Sequence, residues 1–258
     1  MKSNVSKSGS VGKKINYIIL PILIILIWEF VSKFGLVPSI LLPPISSVVK
    51  SFVSQIQSGQ LLNDLISSLS RVIKGYLGGA VFGIVFGIAM GISRRTNNFF
   101  TIIFNSVRQI PPLAWIPLFI LWFGIGETSK VIMIAMGAFF AVLLNTINGI
   151  VSVPKEYIEV AKLYKIKKLD LFRKVYLPSA VPSIFVGLRL GAGSSWMSVV
   201  AAEMIASSSG IGYRINDARS LMQPDVVIVG MFVIGIIGLL MDVGLRKLSK
   251  AVTKWQTV

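Results

Sequence analysis

Histidine and cysteine are both missing from this 258-residue chain, and acidic residues number only 10. Without thiols or imidazoles there is no disulfide, no iron–sulfur cluster, no thiolate or imidazole metal site and no Ser-His or Cys-His nucleophile. The same absence leaves the redox compartment unreadable. Charge is scarce as well: 14% of residues carry it, against about 25% in a soluble domain. No G-x-x-x-x-G-K-S/T phosphate loop occurs, so nucleotide phosphates have no cradle of that kind. A G-x-S-x-G nucleophile elbow is also absent, which argues against an intramembrane hydrolase.

What the chain does have is apolar sequence, 54% of the total. A membrane span takes about 20 such residues. Runs at 17–37, 65–92, 98–123, 129–150, 180–206 and 225–248 meet that need, the third interrupted by Pro111, Pro112 and Pro117. The expected fold is all-α: a polytopic membrane bundle of about six helices, forming one transmembrane domain over 17–250. Polar tails are expected at 1–16 and 251–258, and a cytoplasmic loop at 151–178. The basic tail before Tyr17–Trp28 imitates a secretion leader, but no small-residue cleavage site follows, so the run reads as an uncleaved first span. Residues 46–57 are too polar to span and suit a short interfacial helix starting near Pro44.

The net charge is +16, yet the basic residues sit between hydrophobic runs, as topology signals do, which argues against a nucleic-acid partner. With the N-terminus inside, the tail, the 93–98 hairpin, the 151–178 loop and the C-terminus hold most of the 26 Lys and Arg. Lys33, Lys50, Lys130, Arg214 and Arg219 fall outside. The bias predicts a multi-pass membrane protein with both termini cytoplasmic.

Gly75, Gly79, Gly83, Gly87 and Gly91 recur at every fourth position of the second span. That spacing puts them on one helix face, smooth enough for another helix to approach closely. Helix packing is the main reading, and lining of a solute path the alternative. Gly187, Gly191 and Ser195 repeat the pattern in the fifth span.

The 151–178 loop holds two short amphipathic helices. Tyr157, Val160, Ala161 and Tyr164 share one face of the first. Lys165-Ile166-Lys167-Lys168 breaks the pattern, and Leu171, Phe172, Val175 and Tyr176 mark the second. From pattern alone, this is either a docking knob for another protein or a helix pair lying on lipid.

Glu159-Val160-Ala161, three residues, Lys165, nine residues, Val175, one residue, then Leu177-Pro178: this string resembles the EAA loop of ABC-transporter permeases. Val160 and Val175 are conservative departures from that motif. Lys165 stands where the family has the glycine that turns the chain between two coupling helices. Either the turn differs here, or it accepts the roughly 1–2 kcal/mol cost of a left-handed non-glycine residue. Further segments resemble the sulfonate/nitrate/taurine branch of the binding-protein-dependent permeases. They are Ser68–Arg71, Arg108–Leu118, Leu121–Glu127, Gly187–Leu190 and Ala201–Gly212.

The resemblance implies an importer of the bacterial cell membrane with a second permease copy forming a homodimer, two cytoplasmic ABC ATPase subunits and an extracytoplasmic substrate-binding protein. ATP and Mg would then be bound by the partner ATPase and no cofactor by this chain. It also implies that Tyr157, Glu159, Val160, Ala161, Tyr164, Lys165, Phe172, Leu177 and Pro178 couple the chain to that ATPase. An autonomous secondary carrier or channel is the alternative. It is disfavoured because only the third span is broken, without the matching break that repeat symmetry produces.

Glu29, Arg108 and Arg189 fall near mid-depth of their spans, and Glu203 and Asp242 nearer the ends. A central charge costs about 2.5–3.5 kcal/mol on insertion scales and usually faces protein or a wet cavity. Arg108 and Arg189 therefore either favour an anion in the path or pair with Glu29 or helix carbonyls. The second reading is preferred, because similar arginines occur in permeases for non-anions. Asn145, Ser194, Ser195 and Trp196 are candidates to line the path.

Overall fold

Small residues decide how closely the central helices lie. The computed structural model describes residues 9–253, and every regular element in them is helical. Helix α6 (Glu127–Val151) runs between α3 (Gln60–Ile92) and α9 (Leu177–Ala206). Lipid provides little hydrophobic drive for helix association, so close contact must come from packing. The glycine ladder of α3 supplies it along its whole length. A Cβ built on Gly75 would lie 2.6 Å from Ile134 Cβ, and one on Gly91 2.7 Å from Ile150 Cβ. A Cβ on Gly79, Gly83 or Gly87 would likewise fall within 2.9 Å of Ala135 and Ala138, of Phe139 and Val142, or of Thr146. On the other flank of α6, Gly187 backs onto Asn145 and Val142, and Gly191 onto Ala138 and Val142. Ser195 Oγ donates to Ile134 O at 3.1 Å and ties α9 to α6. Ile134, Ala138 and Val142 are completely buried.

Around this triplet sit α2 (Ile45–Gln57), α10 (Ile211–Ser220) and α11 (Pro224–Val252). Ile211, Ile215, Val229 and Val233 pack with Trp196 in one core, and Trp196 Nε1 donates to Ile234 O at 3.0 Å. Helix α1 (Gly9–Lys33) leaves an apolar stretch, Ile19–Ile27, largely exposed. It is fastened at one end, where Trp28 Nε1 and Ser32 Oγ donate to the carbonyls of Pro43 and Leu42, both at 2.9 Å. Glu29 accepts from Ile45 N–H at 2.9 Å and pairs with Lys33 at 2.8 Å. It thereby caps α2, whose N-cap Pro44 offers no side-chain acceptor. Glu29 is thus not the partner of Arg108 or Arg189 that the sequence suggested.

Two span boundaries differ from expectation. The run 98–123 divides into α4 (Arg94–Gln109), a 3-10 turn at Pro112–Trp115 and α5 (Ile116–Phe123). Ile110 is extended, as a residue before proline prefers, and Pro111 and Pro112 offer no N–H to continue the ladder. Helix α4 buries no residue of its own and leans on Phe86 and Phe139 through Phe100 and Phe104. The run 180–206 starts earlier: α8 (Lys168–Leu171) passes through a π-helical turn, Phe172–Tyr176, directly into α9. Pro178 cannot donate to the preceding turn, and the wider turn lets Leu177 N–H reach Phe172 O instead.

Among the described residues, four helical stretches are long and apolar enough to cross a membrane: Gln60–Ile92, Glu127–Val151, Lys168–Ala206 and Pro224–Val252. The expected span 98–123 is absent from that set because of its break, and the one at 17–37 begins among residues whose side chains lie outside the description. The tails expected at 1–16 and 251–258 also fall largely outside it. Their described parts are helical, from Gly9 and as far as Val252.

Candidate functional site

A cavity of about 650 Å³ opens beside the α4–α5 break and between α6, α9 and α11. Its wall is mostly apolar, with Met133, Met136, Met197 and Phe140, and Arg108 and Arg189 also line it. Arg108 comes from the last turn of α4 and Arg189 from the middle of α9. Arg189 Nε lies 3.1 Å from Asp242 Oδ1, and Arg246 holds the other oxygen of the same carboxylate. Arg108 is exposed and, among the described residues, has no carboxylate within ion-pair distance.

Of the other path candidates, Ser194 lines this cavity and the rest do not. Asn145 Nδ2 donates to Ala141 O on its own helix at 2.8 Å. Ser195 and Trp196 are buried against α6 and α11 and spend their donors on Ile134 O and Ile234 O. Helix periodicity explains the split: Ser194 and Ser195, one residue apart, point about 100° away from each other. Among the described residues no cluster of His, Cys, Asp or Glu could hold a metal.

The exposed loop begins at α7 (Lys155–Leu163). Tyr157, Val160, Leu163 and Tyr164 stand in the open, with Tyr164 79% exposed, while Ala161 is buried beneath them. Glu159 is exposed and, among the described residues, makes no ion pair. The turn after α7 keeps a left-handed residue: Lys165 has φ +50°. Its N–H donates to Lys162 O at 2.9 Å, and Ile166 N–H reaches back to Ala161 O at 3.1 Å. These two bonds make a Schellman ending, in which glycine normally takes the position of Lys165. Of the two alternatives the sequence left open, the retained turn is the one present. Phe172 and Leu177 are half-buried on the π-helical turn and the start of α9, and Pro178 is exposed.

The sequence reading missed an ionic network at the other end of the bundle, buried at Arg71, Glu203, Lys130 and Asp64 and open to the outside at Glu127. Arg71 Nη1 donates to Glu203 Oε1 and to Ser209 O, both at 2.7 Å. Its Nε and Nη2 grip Glu127 at 2.8 and 2.9 Å. Lys130 binds Glu127 at 2.8 Å. Glu203, 1% exposed, also accepts from Ser68 Oγ and Gly212 N–H. Asp64 adds Gly210 N–H and Arg214, both at 2.9 Å. Gly210 has φ +109°, and a Cβ there would strike the Glu203 carboxylate, so only glycine fits. The spacing Asp64, Ser68, Arg71 on one face of α3 was the available signal.

Residues 79–254, well over half of the chain, match the family described as binding-protein-dependent transport system inner membrane component. A Methanocaldococcus jannaschii protein assigned as an ABC transporter permease is 41% identical over 260 residues, covering 99% of this chain and 97% of that one. A Bacillus subtilis protein assigned as an aliphatic sulfonates transport permease is 41% identical over 239 residues, 93% and 87% of the two chains. A solved structure of the MetNI methionine ABC transporter, inward-facing, shares the fold. Its TM-score is 0.69 at 18% identity, covering 77% of this chain and 99% of that one.

Proposed function

This chain belongs to the inner-membrane components of binding-protein-dependent ABC transporters, and from that membership we propose that it forms the path of an importer for a small oxyanion. As a member it is a multi-pass permease subunit and not the ATPase, and its family implies an ATPase and a binding protein as partners. Aliphatic sulfonate, taurine and nitrate are the solutes in view. The observation that carries the reading is the open cavity that Arg108 and Arg189 both line. An anion leaving water needs compensating charge at low dielectric, and two guanidinium groups on an apolar wall supply it.

In this reading the chain crosses the membrane six times, α1 and the α4–α5 pair completing the four long spans, with both termini cytoplasmic. Two copies pair, and two ATPase subunits dock on the loop 151–178. The exposed Tyr157, Val160 and Tyr164 would insert into an apolar recess of the ATPase, with Glu159 beside them. Ala161 and Phe172 support the knob from within, and the turn at Lys165 sets the angle between its helices. The binding protein meets the opposite face.

Ligand screening of the cognate binding protein by thermal shift tests the solute class. Stabilisation by a sulfonate, taurine or nitrate supports the proposal, followed by loss of uptake of that solute in a permease-deletion strain. A binding protein that takes only cations or neutral solutes contradicts it.

A further inference from the structure

The arginines of this bundle are built in two different ways. Arg71 is 5% exposed, and all three of its nitrogens are engaged by Glu203, Glu127 and Ser209. It has no capacity left for a ligand. Arg189 approaches its carboxylate most closely through Nε, at 3.1 Å from Asp242 Oδ1, and its side chain is 41% exposed. Among the described residues its two Nη groups have no hydrogen-bond acceptor. Asp242 in turn is shared: Oδ1 faces Arg189 and Oδ2 is hydrogen-bonded to Arg246, one helical turn further along α11. Asp242 lines the same cavity as Arg108 and Arg189.

From this geometry we infer that Asp242 is a tethered counter-ion that occupies Arg189 until the transported anion replaces it. The inference rests on the oxyanion reading of the cavity. A guanidinium held at one nitrogen can receive an oxyanion on its remaining edge, because its five N–H donors form a planar fork. As the anion binds, Asp242 loses Arg189 but keeps Arg246, so the displaced carboxylate is never left without a cation. That second partner keeps the displaced carboxylate paired, a contribution of the size of one exposed ion pair. Before arrival Arg108, Arg189 and Arg246 stand against Asp242 alone, an excess of positive charge. The anion adds its negative charge to that excess and takes the place of Asp242 beside Arg189.

The arrangement makes Asp242 a specificity residue. It weakens anion binding enough for release, and conduction requires a site that is entered readily and left readily. It also sets the preferred charge. With Asp242 on Arg246, both Arg108 and Arg189 face a compact anion, whereas a neutral solute brings no charge to offset the lost Arg189–Asp242 pair.

The test uses the assembled permease–ATPase complex in lipid nanodiscs, titrated with ethanesulfonate by calorimetry. Asp242→Asn removes the competitor and is expected to tighten binding about fivefold, the worth of one exposed ion pair. Arg246→Gln leaves Asp242 with Arg189 as its sole partner and is expected to weaken binding by about the same factor. Arg189→Gln should abolish the difference made by Asp242→Asn. Opposite signs from Asp242→Asn and Arg246→Gln support the inference, and because the two variants move in opposite directions a general loss of folding cannot imitate them. Equal affinities in wild type and both variants overturn it, as does the absence of ethanesulfonate binding in every form. Ethanesulfonate uptake by proteoliposomes separates the two claims. If uptake occurs while the titrations are flat, only the counter-ion role fails. If no oxyanion is taken up, the oxyanion reading itself fails.

Discussion

Lys165 shows how a residue can depart from a motif without changing the turn. The left-handed backbone at φ +50° costs roughly 1–2 kcal/mol in a residue with a Cβ. Lys165→Gly removes that cost but frees the unfolded chain, which opposes the gain. The net change in stability is expected within about 1 kcal/mol, read as a small shift in the thermal midpoint of the purified chain. ATPase retention by Lys165→Gly should not depend on salt, since Lys162, Lys167 and Lys168 leave the loop basic. A salt-dependent loss of the ATPase would show instead that Lys165 makes a charge contact. Glu203 behaves differently. It is sealed with Arg71, so Arg71→Met strands a carboxylate and is expected to destabilise by about 3–5 kcal/mol. Arg71→Met combined with Glu203→Met should recover much of that loss. Additive losses in the thermal midpoints of the single and double variants would contradict the pairing.

Helices α3 and α6 supply a sharper contrast, because neighbouring glycines have opposite surroundings. Gly79 lies against the Ala135 carbonyl, whereas a Cβ on Gly78 would meet nothing within 4 Å. Gly79→Val is expected to separate the helices and cost about 1–3 kcal/mol or more by overpacking. Gly78→Ala should be neutral within about 0.5 kcal/mol. Thermal midpoints in detergent check both, and equal effects would remove the ladder's packing role.

This ladder was legible because a four-residue repeat identifies one helix face without any knowledge of its neighbour. The long apolar runs were legible for the same reason, since hydropathy is a local property. The continuous passage from α8 into α9 was not, because Pro178 reads locally as a boundary and only the π-helical turn bridges it. Helix α10 was also missed: its sequence, Ile211–Ser220, is polar and short, and its position follows from Glu203, Asp64 and Ser68 gripping the backbone at 210–212. Those partners lie about 140 residues earlier in the chain or on another helix, beyond the reach of periodicity. Within the cavity, Arg108, Arg189 and Ser194 were named from sequence, but Asp242 was passed over because depth along a helix does not reveal which side chains meet.

At the scale of the molecule, the two ends of the bundle contrast. One end is locked by the network of Arg71, Glu203, Glu127, Lys130, Asp64 and Arg214. The other presents an exposed knob of Tyr157, Val160, Leu163 and Tyr164. Under the proposed function the knob is the surface that receives motion from the ATPase, and the network holds the opposite end of the bundle together. Glu159→Lys reverses charge at the knob. It is expected to leave the chain in the membrane while lowering ATPase co-purification or uptake at least tenfold, and unchanged yield and uptake would sever Glu159 from coupling.

The central claim, a cavity that passes an oxyanion under ATP drive, meets its most direct test in proteoliposomes holding this chain, its ATPase and its binding protein. Initial uptake of labelled ethanesulfonate is measured with ATP and with a non-hydrolysable analogue, for wild type and for Arg108→Gln. The account predicts uptake that requires ATP hydrolysis and falls at least tenfold in Arg108→Gln, while the assembled complex is recovered in the same amount. ATP-driven uptake that Arg108→Gln leaves unchanged, or uptake that proceeds without the ATPase, would contradict it.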